Sequence, residues 1–512
     1  MNLIATCFLL CLAWRGEGAR ILGLFPIPGR SHLSVTSPLM HALAKKGHDV
    51  TVFVPFNTGF NASNYKEITY DSIPLSNHED ISTYINMNIF LAHIFLYHMG
   101  TMTTEMALNT TEAQALIKSE EKFDIIILEQ FFNEAFLAYV HKFKCPLVLI
   151  SAFGPTATIN GIFGNSAPYS YVPSEFLPLG DRMTFYERLL NTVANLYFDI
   201  TRKYYYMPQQ QALANKYLSD SEKEIPSLEE IESQADFILL NSHHIFSTPR
   251  PYMENMKNVA GMHLKSSKPL PSDLRQYIDS SENGVILFSL GSAMQSILMP
   301  ANTIKVLKGA FKRLPYNVLW KWENDTMENK PKNVRIGKWL PQNDILSHPN
   351  LKVFVTHGGI SSLMETVYHE VPIVGIPLFG DQKRNIKIAE SKGYAEFVDF
   401  LTMTEDQVYN AVINVATNPK YRDNVKKVSA YWKGEMNHPL DAAVHWVEYV
   451  LKNGGAKLLK ATVTEQNFIQ YFLLDVGCAI LLLLILTLFL IHKTFGLLCR
   501  KSTPKKISKK ND

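Results

Sequence analysis

Short apolar runs and longer amphipathic stretches alternate along most of the chain. The apolar runs are rich in β-branched and aromatic residues, and they predict strands at 20–25, 49–54, 124–128, 147–150 and 237–241. Between the first two runs, apolar residues recur at helical spacing at Leu39, Met40 and Leu43. Longer helical patterns occupy residues 90–117 and 185–218. The chain therefore opens with a βαβ unit, the building block of α/β domains.

A second set of strands follows a proline-bearing segment at residues 265–271. These strands are predicted at 284–289, 317–321, 334–336, 353–356 and 373–376. A chain of 512 residues is too long for one hydrophobic core. We therefore predict an α/β protein of two Rossmann-like domains that face each other across a cleft. The predicted bounds are 20–264 for the first domain, 265–283 for the linker and 284–460 for the second domain.

The N-terminus has the pattern of a secretory signal peptide. Residues 4–14 form an apolar run, and the small and polar sequence GEGA follows and ends at Ala19. The segment lacks a basic first region, and a first buried strand is the alternative interpretation. A better strand begins directly afterwards, at Arg20, so we predict a signal peptide at residues 1–19.

The C-terminal region contains a second long apolar segment. Residues 476–491 are almost uninterrupted Leu and Ile, and together with residues 468–474 they are long enough to cross a bilayer of about 30 Å. Asp475 interrupts the run and is expected near the headgroups, because a charge is costly deeper in the membrane. We predict a transmembrane helix at residues 470–491.

The tail after this helix, residues 492–512, is rich in lysine and arginine. By the positive-inside rule the tail is cytosolic, and both domains are then lumenal in a single-pass type I topology. The last four residues, KKND, resemble the di-lysine retrieval signal of endoplasmic-reticulum membrane proteins, although a solvated basic tail has the same composition. We therefore predict residence in the endoplasmic reticulum membrane.

Charge and cysteine usage narrow the class of protein further. The chain carries 50 Lys and Arg against 47 Asp and Glu, a net charge of +3, so no nucleic-acid partner is indicated. Of the five cysteines, only Cys145 lies in the predicted lumenal body, which leaves no intramolecular disulfide there. Asn61, Asn109 and Asn324 begin sequons that could carry glycans, as in a secretory-pathway glycoprotein. The sequence leaves a homo-oligomer open.

The most specific chemical pattern is a strand, a glycine turn and a helix at residues 353–370. The run VFVTH ends at Gly358 and Gly359, and the helical pattern ISSLMETVYHE follows. Such a turn exposes unpaired backbone N–H groups and the positive end of the helix dipole, so it can bind a diphosphate without a metal. The residues expected near those oxygens are His357, Gly359, Ser361 and Ser362.

The segment from Trp339 to Gln382 that contains this turn resembles the signature of the UDP-glycosyltransferase family, animal enzymes that move a sugar from a UDP-sugar to small lipophilic acceptors. The matching residues are Trp339, Pro341, Gln342, His357, Gly358, Gly359, Ser361, Glu365, Pro372, Pro377, Asp381 and Gln382. The family pattern continues at residues 241–242, 249–251 and 288–292, so the resemblance covers nearly the whole chain.

This resemblance implies the fold called GT-B, in which the first domain binds the acceptor, the second binds the donor, and the reaction takes place in the cleft. It also implies a UDP-sugar as donor co-substrate and no further cofactor. The sequence as a whole resembles the invertebrate members of the family more closely, and UDP-glucose is the usual donor for those members. UDP-glucuronate and UDP-galactose remain open as donors.

The candidate catalytic base is His32, which matches the family's catalytic histidine within Gly-Arg-Ser-His. It lies at the start of a predicted helix, whose positive end favours a neutral imidazole near pH 7. A base histidine usually needs a carboxylate on its other nitrogen. Vertebrate family members have an aspartate about five residues after a Phe-Asp pair, and Glu129 stands there in this chain. Asp124, which could instead cap the strand, is the second candidate.

The resemblance assigns the remaining roles in the donor half. Trp339 would stack on uracil, unless it is a core tryptophan, and Gln342 would bind uracil or ribose. Glu365 lies one helical turn after Ser361 and could accept from both ribose hydroxyls. The family's sugar-binding pair corresponds to Asp381 and Gln382.

A second glycine turn, after the first strand of the donor domain, carries three residues expected near phosphate: Ser289, Gly291 and Ser292. Simple chain reversal is the alternative role of such a turn. No Asp-x-Asp triplet occurs in the sequence, and this favours a metal-free site in which the helix N-terminus and His357 stabilise the leaving phosphate.

The leading hypothesis is therefore inverting transfer of a hexosyl group, with glucose favoured, to a hydroxyl of a small lipophilic acceptor, as in detoxification. A glycosyltransferase that modifies a sphingolipid or sterol is the alternative within enzymes, because the same motifs would serve it. A non-catalytic membrane protein that binds UDP-sugar or lipid is the third hypothesis. The presence of His32 together with Asp381 and Gln382 argues against it, since a binding protein has no need of a base.

Overall fold

The computed structural model describes residues 18–70, 72, 85, 87–219, 225–292, 294–435 and 438–501. The chain forms two compact units, one that ends at Lys460 and one that begins at Ala461. The predicted signal peptide, except for its last two residues, and the predicted retrieval signal lie outside the described residues. The first unit contains two parallel sheets, which is the predicted architecture.

The first sheet has seven parallel strands in the order β3-β2-β1-β4-β5-β6-β7. The strands are β1 (Arg20–Leu24), β2 (Asp49–Val54), β3 (Tyr65–Thr69), β4 (Ile125–Glu129), β5 (Leu147–Ser151), β6 (Phe237–Leu240) and β7 (Met256–Asn258). Five of them match the predicted strands, and the two edge strands β3 and β7 were not predicted. The sheet order brings the end of β1 beside the end of β4, where Leu24 pairs with Leu128.

The central strands are buried on both faces, as parallel strands between helical layers must be. In β1, for example, Leu22 and Leu24 pack into one apolar cluster, whereas Ile21 packs into the cluster on the other face. The helices of this half are α1 (Arg30–Lys45), α2 (Ile89–Leu108), α3 (Thr111–Lys118), α4 (Ala138–Phe143), α5 (Ala157–Phe163), α6 (Phe185–Thr201), α7 (Met207–Leu218) and α8 (Leu228–Ser233).

Both long helical predictions divide into two helices for local reasons. The first breaks at Asn109 and Thr110, where the Thr110 side chain accepts a hydrogen bond from the Ala113 N–H and begins α3. The second passes through a π-helical turn at Arg202–Tyr206 before α7 begins. Pro208 lies in the first turn of α7, the helical position that proline tolerates best.

Helix α6 buries two asparagines, Asn191 and Asn195, beside Ala194 and Phe198, and it exposes a row of large apolar side chains. The Asn191 side chain is buried, accepts from the Ser174 N–H at 2.8 Å and donates to the Val172 carbonyl at 2.9 Å. The opposite face exposes large apolar side chains, namely Phe185, Tyr186, Leu189, Val193, Leu196 and Ile200, at 47–79% of their surface. An ordinary surface helix turns such large apolar side chains towards the core.

The second sheet has six parallel strands in the order β10-β9-β8-β11-β12-β13. The strands are β8 (Val285–Ser289), β9 (Asn317–Lys321), β10 (Val334–Gly337), β11 (Leu351–Thr356), β12 (Ile373–Gly375) and β13 (Ala395–Phe397). The first five match the predicted strands, and the three-residue β13 was not predicted. The accompanying helices are α9 (Ser272–Asp279), α10 (Ala301–Arg313), α11 (Gln342–Leu346), α12 (Ile360–Tyr368), α13 (Gln382–Ser391), α14 (Glu405–Thr417) and α15 (Pro419–Lys433).

The next helix, α16 (Pro439–Asn453), returns to the first half of the chain. Its residues Ala443, Val444 and Val447 join the apolar cluster that contains Leu39 and Leu43 of α1. Glu448 on α16 also pairs with Lys46 at 3.0 Å. The predicted domain bounds stay a prediction, but the last helix of the segment assigned to the second domain packs on the first sheet.

The second unit contains a short helix, α17 (Phe468–Tyr471), and a long one, α18 (Leu474–Lys501). Residues Leu474–Leu498 of α18 are long and apolar enough to cross a membrane, by length and composition. The helix extends beyond the predicted span of 470–491, and it begins after Leu473, which has a positive φ of 53°. Asp475 lies in its first turn, and its place near the headgroups stays a prediction.

Candidate active site

A cavity of about 890 Å³ lies between the two sheets. It opens at the carboxyl ends of the parallel strands, where α/β sheets bind ligands, because the turns after β1, β8 and β11 all contribute to its wall. His32 and all twelve predicted donor-site residues line it. The two candidate carboxylates, Glu129 and Asp124, do not line the cavity, and they lie at opposite ends of β4.

His32 lies in the first turn of α1, directly after β1. Its Nδ1 atom lies 2.6 Å from Oε1 of Glu129, the last residue of β4. The two side chains meet because β1 and β4 are neighbours in the sheet and end at the same edge. A carboxylate accepts only, so the contact places the imidazole proton on Nδ1 and the free lone pair on Nε2. The Glu129 side chain is 1% exposed and that of His32 is 15% exposed, so the pair is shielded from water and the histidine still reaches the cavity.

Asp124 lies one residue before β4, at the opposite end of that strand. Its Oδ2 atom accepts a hydrogen bond from the Arg20 N–H at 2.7 Å, and its own N–H donates to the Arg20 carbonyl. The residue therefore acts as a strand-start cap. The structure brings His32 together with Glu129 and not with Asp124.

Aromatic side chains surround His32 on the first-domain side of the cavity. The Phe131 ring centroid lies 4.7 Å from that of His32, and Phe153 lies edge-on at 6.4 Å. Phe176 and the α2 residue Met99 extend this apolar wall. The sequence does not reveal these residues, because Phe131, Phe153 and Phe176 lie in loops without a periodic pattern.

His357 lies at the end of β11 and packs between two glycine turns. A Cβ atom on Gly291 would lie 2.6 Å from the imidazole Cε1, and one on Gly359 would lie 2.6 Å from Nε2. Gly291 also has a positive φ of 69°, which favours glycine. These turns therefore do more than reverse the chain, because their missing side chains make room for the ring. Burial, together with the charge of Lys321, lowers the pKa of His357 to about 4, so the imidazole is neutral at pH 7.

The N-terminus of α12 has the features of an anion site. Its N-cap is Gly359 and no side chain in the described part of the chain caps it, so the first backbone N–H groups are available to a ligand. Ser361 and Ser362 lie in this first turn and line the cavity, as does Ser292 on the facing turn. In that facing turn, Ser289 Oγ accepts from the Gly291 N–H at 3.2 Å and so holds the turn in shape.

The predicted nucleoside residues cluster beside this turn. Gln342 Nε2 donates to Glu365 Oε2 at 2.7 Å and to Ser362 Oγ at 3.0 Å. Burial raises the pKa of Glu365 to about 7, against the lowering effect of the bond from Gln342. Trp339 is 70% exposed, so it is a surface platform and not a core tryptophan.

Asp381 and Gln382 lie at the start of α13 and face the same cavity. Asp381 is the N-cap of the helix, and its Oδ2 accepts from Asn385 Nδ2 at 2.6 Å. Burial raises the pKa of Asp381. Gln382 Oε1 accepts from the N–H groups of Leu378 and Phe379, which leaves its amide nitrogen to donate to a ligand.

A buried residue that the sequence did not single out, His263, also reaches this region from the first half. Its Nε2 lies 3.2 Å from the Ser361 carbonyl and donates to it, and burial lowers its pKa to about 4. The contact joins the segment before the predicted linker to the first turn of α12. No pattern in the sequence could have identified it, because the two residues are 98 positions apart.

Residues 24–510 match the family described as "UDP-glucoronosyl and UDP-glucosyl transferase". UDP-glycosyltransferase UGT5 of Dactylopius coccus is 33% identical over 92% of this chain and 90% of its own length. Human UDP-glucuronosyltransferase 2B15 is 33% identical over 94% of this chain and 93% of its own. Mouse 2-hydroxyacylsphingosine 1-beta-galactosyltransferase is 30% identical over 96% and 91%.

Two solved structures have the same fold. The glycotransferase of kitacinnamycin superposes with a TM-score of 0.55 at 17% identity, over 85% of this chain and 99% of its own. The structure of LpCGTa in complex with UDP superposes with a TM-score of 0.52 at 14% identity, over the same shares. At these identities the likeness concerns the fold, and it confirms the predicted GT-B arrangement of two Rossmann-like domains.

Proposed function

Because the chain belongs to the family of UDP-glucuronosyl and UDP-glucosyl transferases, we propose that it transfers a hexosyl group, with glucose favoured, from a UDP-sugar to a hydroxyl of a small lipophilic acceptor. The chain is a UDP-glycosyltransferase, and its donor co-substrate is a UDP-sugar without a further cofactor. The observation that carries the finer proposal is the His32–Glu129 pair at 2.6 Å, aimed into the cavity that the donor-site residues line.

The pair suits a general base. Nε2 of His32 takes the proton of the acceptor hydroxyl, while the oxygen attacks the anomeric carbon from the face opposite the departing UDP. The configuration at that carbon is therefore inverted. Glu129 stabilises the imidazolium that forms, and it keeps the reactive nitrogen in the unprotonated tautomer beforehand. Asp124 takes no part, because it is bonded at the far end of β4.

The donor half supplies the contacts for UDP. Trp339 stacks on uracil, and Glu365 with Gln342 holds the ribose hydroxyls. The uncapped N–H groups of α12 and one imidazole N–H of His357 hydrogen-bond the diphosphate, with support from the turn at Ser289, Gly291 and Ser292. These groups stabilise the charge that develops on the leaving phosphate, so the transfer needs no metal. Asp381 and the Gln382 amide then hold the hydroxyls of the sugar.

The apolar wall around His32 supports a lipophilic acceptor, as in detoxification of small phenols. Phe131, Phe153 and Phe176 offer ring faces and edges rather than hydrogen bonds, so they select for apolar surface near the reacting hydroxyl. A sphingolipid or sterol is the second candidate acceptor, and the resemblance to the mouse enzyme named for 2-hydroxyacylsphingosine favours it. A purely binding role would leave the buried His32–Glu129 pair without a purpose.

We further propose that the enzyme is anchored in the endoplasmic reticulum membrane by α18, with both sheets in the lumen and the tail in the cytosol. The apolar length of residues Leu474–Leu498 supports one membrane crossing. The outward apolar face of α6, with aromatic residues such as Tyr186, fits the headgroup region of a bilayer. If no membrane lay against α6, this apolar face would be exposed to water.

The test uses microsomes that contain the full-length protein. They are incubated with UDP-glucose, UDP-galactose or UDP-glucuronate and with a panel of phenols, a sterol and a ceramide, and the conjugates are identified by mass spectrometry. Formation of a β-linked product from a phenol and an α-linked UDP-hexose supports the proposal. Transfer to ceramide alone would assign the second acceptor class, and absence of transfer with every pair would refute both.

A further inference from the structure

A cluster of buried charged side chains joins the two halves of the chain beside Asp381. Glu175 belongs to a loop of the first half and lines the cavity. Its Oε2 lies 3.0 Å from Nη1 of Arg384 on α13, and its Oε1 lies 2.9 Å from Nη1 of Arg250. All three side chains are at most 5% exposed. Both arginines also donate to Ser247 Oγ, at 2.8 and 3.1 Å.

The charges in this cluster cancel. When all four groups are ionised, Arg250 and Arg384 contribute two positive charges, and Glu175 and Asp381 contribute two negative charges. Glu175 and Arg384 both act electrostatically on Asp381, in opposite directions. A buried ion is tolerated only when its charge is compensated. A further charge beside this balanced cluster would therefore be uncompensated and costly in free energy.

We propose that Glu175 makes the sugar end of the cavity select a neutral hexose and exclude a hexuronate. The proposal rests on the proposed function, in which Asp381 and Gln382 hold the sugar. A hexuronate would bring a third carboxylate to a place where both arginines are already paired with Glu175. A neutral hexose brings hydroxyl groups only. Asp381 can accept hydrogen bonds from them, and the Gln382 amide can donate hydrogen bonds to them.

The lysine and arginine residues that line the cavity belong to different parts of the site. Lys321 ends β9 and its Nζ lies 2.6 Å from Oε1 of Glu323, near the turn assigned to the diphosphate. The Arg30 guanidinium lies over the Phe56 ring at 4.7 Å. Lys268 belongs to the linker, where its N–H donates to Asp344 close to Gln342, on the nucleoside side. Lys265 is also a linker residue. Among the described residues, the cation that acts electrostatically on Asp381 is Arg384.

The experiment compares the ratio of kcat/KM for UDP-glucose to kcat/KM for UDP-glucuronate in full-length protein with one phenolic acceptor. Wild-type protein should strongly favour UDP-glucose. Glu175→Gln keeps the size of the side chain but frees the two arginines, and it should lower the ratio by about tenfold or more, as expected for a new hydrogen-bonded charge pair. Glu254→Gln, the same change at an exposed position, is the matched control and should leave the ratio unchanged.

The double variant Glu175→Gln/Arg250→Gln separates selectivity from a structural effect. It removes one negative and one positive charge, so the cluster is neutral again, and the ratio should return towards the wild-type value. If Glu175→Gln alone does not fold, the donor preference of wild-type protein still tests the proposal. Equal use of both donors by wild-type protein, or an unchanged ratio in Glu175→Gln, would overturn the role of Glu175. Absence of transfer from every UDP-sugar would instead overturn the proposed function.

Discussion

The pairing of His32 with Glu129 makes a quantitative prediction for the variant Glu129→Gln. The substitution keeps the shape of the side chain and removes its charge. The amide can present either its oxygen or its NH₂ group to Nδ1, so it neither fixes the tautomer of His32 nor stabilises the imidazolium that forms when the acceptor loses its proton.

The size of the effect follows from the geometry of the pair. The contact is 2.6 Å long and the carboxylate is 1% exposed, so solvent screens it little. A hydrogen bond to a charged group contributes about 1.5–3 kcal/mol. Since about 1.4 kcal/mol corresponds to tenfold in rate, kcat should fall by roughly 10- to 150-fold. Complete removal of the base in His32→Ala should cost more, about 10²- to 10⁴-fold.

The assay measures kcat with a phenolic acceptor at saturating UDP-sugar, and calorimetry measures the affinity for UDP in parallel. Both variants should bind UDP as wild-type protein does, because His32 and Glu129 belong to the first half of the chain. Asp124→Asn serves as the control at the other end of β4, where the amide oxygen can still accept from the Arg20 N–H. A larger loss in Asp124→Asn than in Glu129→Gln, or near-normal kcat in His32→Ala, would refute the assignment.

Four further outcomes are expected. Trp339→Ala should weaken UDP binding in calorimetry by the roughly 1–3 kcal/mol of one base stacking on an aromatic ring; unchanged affinity would remove Trp339 from the uracil site. Because the pKa of Glu365 is about 7, its carboxylate forms as pH rises through 7. UDP-glucose, whose diphosphate does not titrate there, should bind more tightly at pH 8 than at pH 6, and Glu365→Gln should abolish this dependence. Activity should survive exhaustive EDTA treatment in part, whereas complete loss restored only by Mg²⁺ or Mn²⁺ would contradict the metal-free site. Protease added to intact microsomes should remove only the tail, and digestion of the catalytic body would reverse the proposed topology.

The sequence predicted most of the fold because its parallel strands are buried on both faces and leave clear apolar runs. It missed β3, an edge strand whose residues are only partly buried and leave no apolar run. It also missed β7 and β13, which are three residues long and too short to form a pattern. It also assigned α16 to the second half, because an amphipathic pattern predicts a helix but not the sheet on which the helix packs.

The residues of the candidate site that lie in local motifs could be predicted from the sequence. The prediction was incomplete for residues that are brought together by contacts between distant parts of the chain. The strand, glycine turn and helix around His357 lie within one short segment, so the individual candidate residues of the donor site could be named from the sequence. The contact between Glu175 and Arg384 joins residues 209 positions apart, and neither belongs to a periodic pattern. The resemblance to a family supplied Glu129 as partner of His32, and the distance in the structure separated it from Asp124.

The return of α16 to the first sheet has a consequence for how the chain is made. The last strand of that sheet ends at Asn258, but the helix that covers α1 is complete only at Asn453, almost 200 residues later. At a synthesis rate of about 5–20 residues per second, translation from Asn258 to Asn453 takes roughly 10 to 40 seconds. During this time the apolar surface of α1 that α16 later buries stays exposed. The first half therefore cannot finish folding while the second is still being translated. A truncation before Pro439 removes α16 entirely and leaves the first half with an uncovered apolar face.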